Sequence, residues 1–148
     1  MLKGRSCMRV AAIDLGAARV GLAVSDDLGL LAHPRPALDG RDTGRLLDAL
    51  CELVGTDGIS TFVIGLPRHM DGREGARARA SRRFAEILER RSGVPVRLFD
   101  ERWSTVEAAA RLRDQGLNSR NARGRLDSAS AAVMLQCWLD SKCSGEGH

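Results

Sequence analysis

The sequence predicts a single α/β domain, and three observations carry that prediction. Short apolar runs at 10–13, 20–24, 61–66 and 94–99 have strand length and strand composition. Segments of helical length and periodicity lie at 42–54, 75–91 and 126–141. Their order, two strands followed by alternating helix and strand, suits one sheet covered by helices, and 148 residues are enough to bury its core.

The runs 10–13 and 20–24 are joined through Gly16, Ala17 and Ala18, a connection short enough to close a hairpin. Asp14 is the anomaly in it. An ionised carboxylate in an apolar strand must be solvated, paired or bound to a cation. It is either an acid that caps the turn or part of a metal or phosphate site, and the second reading needs partners elsewhere in the chain. In 30–38, Pro34 and Pro36 allow an edge strand at most. The segment 42–54 carries Leu46, Leu47, Leu50, Leu53 and Val54 at helical spacing, with Asp42 or Thr43 as its cap.

The strand 61–66 ends in Gly65-Leu66-Pro67. The helix 75–91 places Ala80, Phe84, Ile87 and Leu88 on one stripe and Arg79, Arg82, Arg83, Glu86 and Arg90 mostly away from it, and Gly93 stops it. After the strand 94–99, Ser104 to Glu107 has the form of a capping box, so a helix is expected from there to about Gln115, with Gly116 as its stop. This puts Asp100-Glu101-Arg102 at a strand end. Residues 116–124 are polar and aperiodic and read as a mobile basic loop. The last helix, 126–141, is built of small and apolar residues and is expected to be buried over most of its circumference.

Asp127 stands in the first turn of that helix, with Ala131 and Leu135 on the same face. Alone it is a capping or dipole-complementing acid. Together with Asp14 and Glu101 it makes a constellation that could converge on one edge of the sheet. Acids gathered without opposite charges resist ionisation and so imply cations; ligands that are all oxygen favour Mg²⁺ or Mn²⁺ over zinc.

Charge points the same way. Residues 68–125 carry fifteen basic groups, all arginine, against eight acids, whereas 1–67 carry seven against eight. Such clustering suggests a polyanionic partner such as nucleic acid, although the chain prefers arginine to lysine throughout. Cys7, Cys51, Cys137 and Cys143 lie far apart, which argues for reduced structural thiols and against a zinc site or disulfide framework. His33, His69 and His148 are equally scattered. No apolar run approaches the ~20 residues of a membrane span, and residues 1–7 lack the apolar centre of a signal peptide, so the expectation is a cytoplasmic protein. Residues 1–7 are expected to be a disordered extension if Met8 is the start, 8–142 the domain, and 143–148 a polar tail. Phe62, Phe84, Phe99 and Trp138 read as core, leaving Trp103 to stack on a base.

These residues carry a resemblance. Ile13-Asp14-Leu15-Gly16 with Arg19-Val20-Gly21-Leu22-Ala23, then Gly65-Leu66-Pro67 with Met70-Asp71-Gly72 and Gly75, then Asp100-Glu101-Arg102, and Asp127 with Ala131-Ala132 appear in this order over 8–141. In this the chain resembles the YqgF (RuvX) family of pre-16S rRNA nucleases, also described as Holliday-junction resolvases. The resemblance implies an RNase H-like fold: a central mixed sheet of five strands, the first three antiparallel and the later ones parallel to the first, with helices on both faces. It implies catalytic acids at Asp14, Glu101 and Asp127, two Mg²⁺ or Mn²⁺ ions held by the same three, and phosphodiester hydrolysis. The chain departs from the family pattern at Ala17 and Ala18 in the turn, His69 and Trp103, none of which touches the acids.

Arg19 and Arg102, beside the acids in sequence, are candidates for holding a phosphate or for salt bridges to those acids. Arg68, Arg73, Arg77, Arg79, Arg120, Arg123 and Arg125 could track a nucleic-acid backbone. The expected substrate is RNA, with structured or branched DNA as the alternative; a pre-ribosomal particle is a further partner, and the protein is a monomer or homodimer. Two readings from other classes compete: an ATP-binding module of the kinase and actin type, suggested by Asp-x-Gly, and a nucleic-acid-binding protein without turnover.

Overall fold

Strands β1 (Arg9–Leu15) and β2 (Arg19–Ser25) form the expected hairpin, paired antiparallel from Ala11 opposite Val24 to Leu15 opposite Val20. The turn depends on Gly16. A Cβ there would sit 2.4 Å from the carbonyl oxygen of Arg19, so only glycine lets the two strands approach this closely. The computed structural model describes residues 9–16, 18–67, 73–101 and 128–143. The helix expected from Ser104, the loop 116–124, Trp103 and the chain ends 1–8 and 144–148 lie outside the described residues, as do His69, Arg68, Arg102, Arg123 and Asp127.

β3 (Ala32–Asp39) pairs antiparallel with β2 at the sheet edge, where Pro34 and Pro36 cost fewest ladder bonds. Its register slips between Leu22, opposite Arg35, and Val20, opposite Leu38. Three steps of β3 therefore face two of β2, a bulge centred on Pro36 and Ala37. β4 (Ile59–Leu66) runs parallel to β1, and β5 (Val96–Asp100) runs parallel to β4. The order is β3-β2-β1-β4-β5, so the C-terminal ends of β1, β4 and β5 share one edge of the sheet with the N-terminal end of β2.

α1 (Thr43–Asp57) begins where Asp42 Oδ1 accepts a bond from the backbone N–H of Arg45 and stops at Gly58, whose φ of 70° is left-handed. It runs three residues past the expected end, because Gly55 is carried within the helix and the stop falls to Gly58. α2 (Ala76–Ser92) ends at Gly93, whose N–H bonds the carbonyl of Glu89. Its buried face is Ala78, Ser81, Phe84, Ala85 and Leu88. Ala80, expected inward, is exposed: in a run where alanine alternates with arginine, the rotation is set by Ala78 and Ser81 instead. α3 (Ala129–Cys143) is buried through Ala131, Ala132, Met134, Leu135, Gln136 and Leu139, as its composition predicts.

The helices sit on opposite faces. α1 and α2 cover Ala11, Ile13, Val20, Leu22, Val24, Phe62 and Ile64; α3 covers Val10, Ala12, Ala23, Val63 and Phe99. This alternation decides where the acids point. Val10 and Ala12 face α3, so Asp14 does too; Val63 puts Gly65 on that side, and Phe99 does the same for Glu101. Trp138 is half-buried against the second core, Cys51 and Cys137 are not in disulfides, and His33 is an exposed residue of β3.

Candidate active site

The edge at the ends of β1, β4 and β5 opens into a cleft of about 360 Å³, lined by Asp14 and Glu101 from the sheet and by Ala129, Ser130, Val133 and Met134 from α3. Both acids are half-buried. Strand parity aims both of them at α3, and the parallel pairing that sets Leu66 opposite Asp100 holds the end of β5 level with the end of β4.

Gly65 gives Glu101 its room. A Cβ at that position would lie 2.6 Å from Glu101 Oε2 and 3.0 Å from Met134 Sδ. The carboxylate therefore occupies the space that a side chain on β4 would fill, and any larger residue displaces it.

The two acids interact directly. Burial pushes the Asp14 carboxyl above the ordinary carboxylate range, while the Arg77 guanidinium and a hydrogen bond with Glu101 pull it back. Burial also raises Glu101, and the charges of Asp14 and Asp100 and the bond to Asp14 add to the rise against the opposing pull of Arg77. Both carboxyls of the pair therefore stand above the ordinary carboxylate range, with burial the largest cause for each. Two carboxylates pressed together in this way form an oxygen-only pair whose mutual repulsion a bound cation would relieve.

Among the described residues, Arg77 is the cation whose charge acts on both acids. It stands in the first turn of α2, and its Nη2 donates to the carbonyl of Leu15, 3.4 Å away. The sequence offered it only as one of several arginines along a backbone track. Its proximity was legible in one respect: β4 runs parallel to β1, so the helix that follows β4 begins at the edge where β1 ends.

The remaining expected site residues divide. Arg19 is exposed at the start of β2 and lines a separate depression with Ala18, Ala37, Leu38, Asp39 and Arg41. Arg73 is exposed just before α2. Among the described residues, no three His, Cys, Asp or Glu side chains converge as a ligand set.

A mixed sheet of this order, with helices on both faces, is an RNase H-like fold, and here acids stand at the ends of its first and last strands. The fold is that of RuvC from T. thermophilus, solved in complex with a Holliday junction substrate, with a TM-score of 0.69 at 17% identity over 95% of this chain and 98% of that one. The Holliday junction resolvase of fowlpox virus matches with a TM-score of 0.55 at 11% identity over 91% of this chain and 99% of that one. The chain belongs to the RuvX family, whose model, described as Holliday junction resolvase, matches residues 8–141. A relative from Anaeromyxobacter sp. (strain Fw109-5), named "Putative pre-16S rRNA nuclease", is 49% identical over 91% of this chain and 98% of its own length. One of the same name from Myxococcus xanthus is 40% identical over 90% and 89%. Membership of this family decides for the nuclease over the ATP-binding module. No helix among the described residues is long and apolar enough to cross a membrane.

Proposed function

We propose that this nuclease hydrolyses phosphodiesters of RNA with Mg²⁺ or Mn²⁺, acting on the 5′ end of pre-16S rRNA, and that Asp14, Glu101 and Asp127 hold the metal. The observation that carries the reading is the pair Asp14 and Glu101: two half-buried carboxylates in hydrogen-bond contact at a sheet edge, both raised by burial. The donor set fits a hard divalent ion, since it offers only oxygen, and Gly65 leaves the glutamate space to swing onto a ligand. Bound there, two such ions supply Lewis acidity toward the attacking water and the leaving 3′ oxygen.

The chain's own residues do the rest. Asp14, which feels the charge of Arg77 and is hydrogen-bonded to Glu101, would hold the metal from the end of β1. Glu101, in hydrogen-bond contact with Asp14, would be the second carboxylate to hold the metal, and it would do so in its ionised form. Arg77, a delocalised cation beside the pair, holds a non-bridging oxygen of the phosphate. Ala129 and Val133 form the α3 wall of the cleft, and the exposed Arg19 and Arg73 at the same end of the sheet extend contact to neighbouring phosphates.

The family description and the relatives' name favour different substrates, so a resolvase acting on four-way DNA junctions is the second reading. Both are tested with end-labelled pre-16S leader RNA and a four-way junction, each with Mn²⁺, Mg²⁺ or EDTA, using the wild type and Asp14→Asn. The expected result is metal-dependent cleavage of the RNA that the variant loses. Preferential, symmetric cutting of the junction would transfer the assignment to the resolvase, and cleavage unaffected by EDTA would refute the metal reading.

A further inference from the structure

We propose that Ser128 is a positioning residue for the acid cleft: its hydroxyl replaces one rung of the β2–β3 ladder and thereby fixes the turn of α3 that walls Asp14 and Glu101. The inference rests on the nuclease reading of that cleft. Ser128 is fully buried at the start of α3. Its Oγ accepts from the backbone N–H of Leu22 at 2.9 Å and donates to the carbonyl of Arg35 at 2.6 Å. Leu22 and Arg35 face each other across the two strands, at the point where the bulge begins. The hydroxyl therefore bridges a backbone donor of β2 and a backbone acceptor of β3 that face each other at the edge of the bulge.

A second pin lies eight residues on, about 12 Å along the helix. Gln136, also fully buried, accepts from the N–H of Ala32 at 2.9 Å and donates to the carbonyl of Leu30 at 2.9 Å. Two such pins on one side of α3 set both its rotation and its height over the sheet. They are not equivalent for the cleft. Ser128 directly precedes Ala129 and Ser130, which line it, whereas Gln136 ties the helix to the opposite end of β3.

The pairing of pins supplies the control. Ser128→Ala and Gln136→Met, in the full chain, each remove one buried polar anchor from the same helix and the same ribbon. Thermal melts give the folded fraction, Mn²⁺ calorimetry gives metal affinity, and cleavage of leader RNA gives kcat and KM. The expected result is that Ser128→Ala lowers kcat at least tenfold with KM within twofold and weakens Mn²⁺ binding, whereas Gln136→Met, with a comparable loss of Tm, keeps both within twofold. Activity and affinity that fall in proportion to Tm for both variants would overturn the proposal, as would a Ser128→Ala protein with wild-type kcat. Ser128→Cys, of similar shape with weaker bonds, replaces the alanine variant if that does not fold, and wild-type kcat in it overturns the proposal equally. A wild type that binds Mn²⁺ but cleaves no RNA would sink the substrate reading alone, because the affinities of the two variants still compare the pins.

Discussion

Replacing Gly65 by alanine separates the geometry of the site from the stability of the fold. The new Cβ would meet Glu101 Oε2 at 2.6 Å and Met134 Sδ at 3.0 Å, where ordinary contact begins near 3.4 Å. The carboxylate oxygen must recede by the difference of the first pair, 3.4 − 2.6 = 0.8 Å. Both neighbours are ends of flexible side chains, and Gly65 is not among the glycines with positive φ, so the backbone accepts alanine. The entropy lost by an unfolded glycine, about 0.5–1 kcal/mol, offsets the crowding. Catalysis has no such reserve: a displacement near 1 Å in a reacting constellation costs on the order of 10²-fold. Gly65→Ala should therefore melt within a few degrees of wild type and cleave about 100-fold more slowly at saturating Mn²⁺. A variant that is equally stable and retains wild-type kcat would refute the claim that Glu101 works from the space beside Gly65.

Three further outcomes follow from the same geometry. Arg77→Gln should raise KM roughly tenfold with little change in kcat, and a plot of log affinity against log salt should lose about one unit of slope, as expected for one phosphate contact; an unchanged slope would remove Arg77 from the substrate. Asp14→Asn should raise the Tm of the metal-free protein at pH 7 by roughly 2–5 °C. The carboxyl's pKa is raised in the fold, so its charge opposes folding above that pKa and is neutral below the ordinary value of 3.8; the gain should vanish on acidification, and a lower Tm at pH 7 would contradict it. Asp57 gives the opposite sign. Its carboxyl, at the end of α1, is held below 3.8 chiefly by Arg35, with Thr56 and Arg9 adding to the effect. Asp57→Asn should cost about 1 kcal/mol in urea melts at neutral pH, and the difference should disappear as the pH falls below 3.8 through the folded pKa; a difference that persists in acid would refute it.

Much of the site was legible because strand parity can be read from sequence. An acid placed after Val10 and Ala12 must face the same side as they do, and the capping box at Ser104 marked Glu101 as the end of its strand. The inward face of the last helix was legible to the same degree, since Ala131 and Leu135 are fully buried where its periodicity put them, while Asp127 lies outside the described residues. What the sequence withheld depends on approach between elements. Gly65 reads as a strand terminator, and only the packing of β5 and α3 reveals that its missing Cβ makes room for a carboxylate. Ser128 and Gln136 look like polar interruptions of an apolar helix; Ser128 meets the strands at the bulge of β3, whose register Pro34 and Pro36 hint at without fixing, and Gln136 meets the start of β3. The rotation of α2 failed for a similar reason, because alanines at 78 and 80 offer the periodicity no contrast.

The most direct test of the account is a Mn²⁺ titration, followed by calorimetry, of the wild type, Asp14→Asn and Glu101→Gln at pH 7. If the two carboxylates form one site, the wild type binds the ion and each single variant loses at least tenfold in affinity while its circular dichroism spectrum stays that of the folded protein. Wild-type affinity in both variants would contradict the claim that the end of this sheet is where the metal is held.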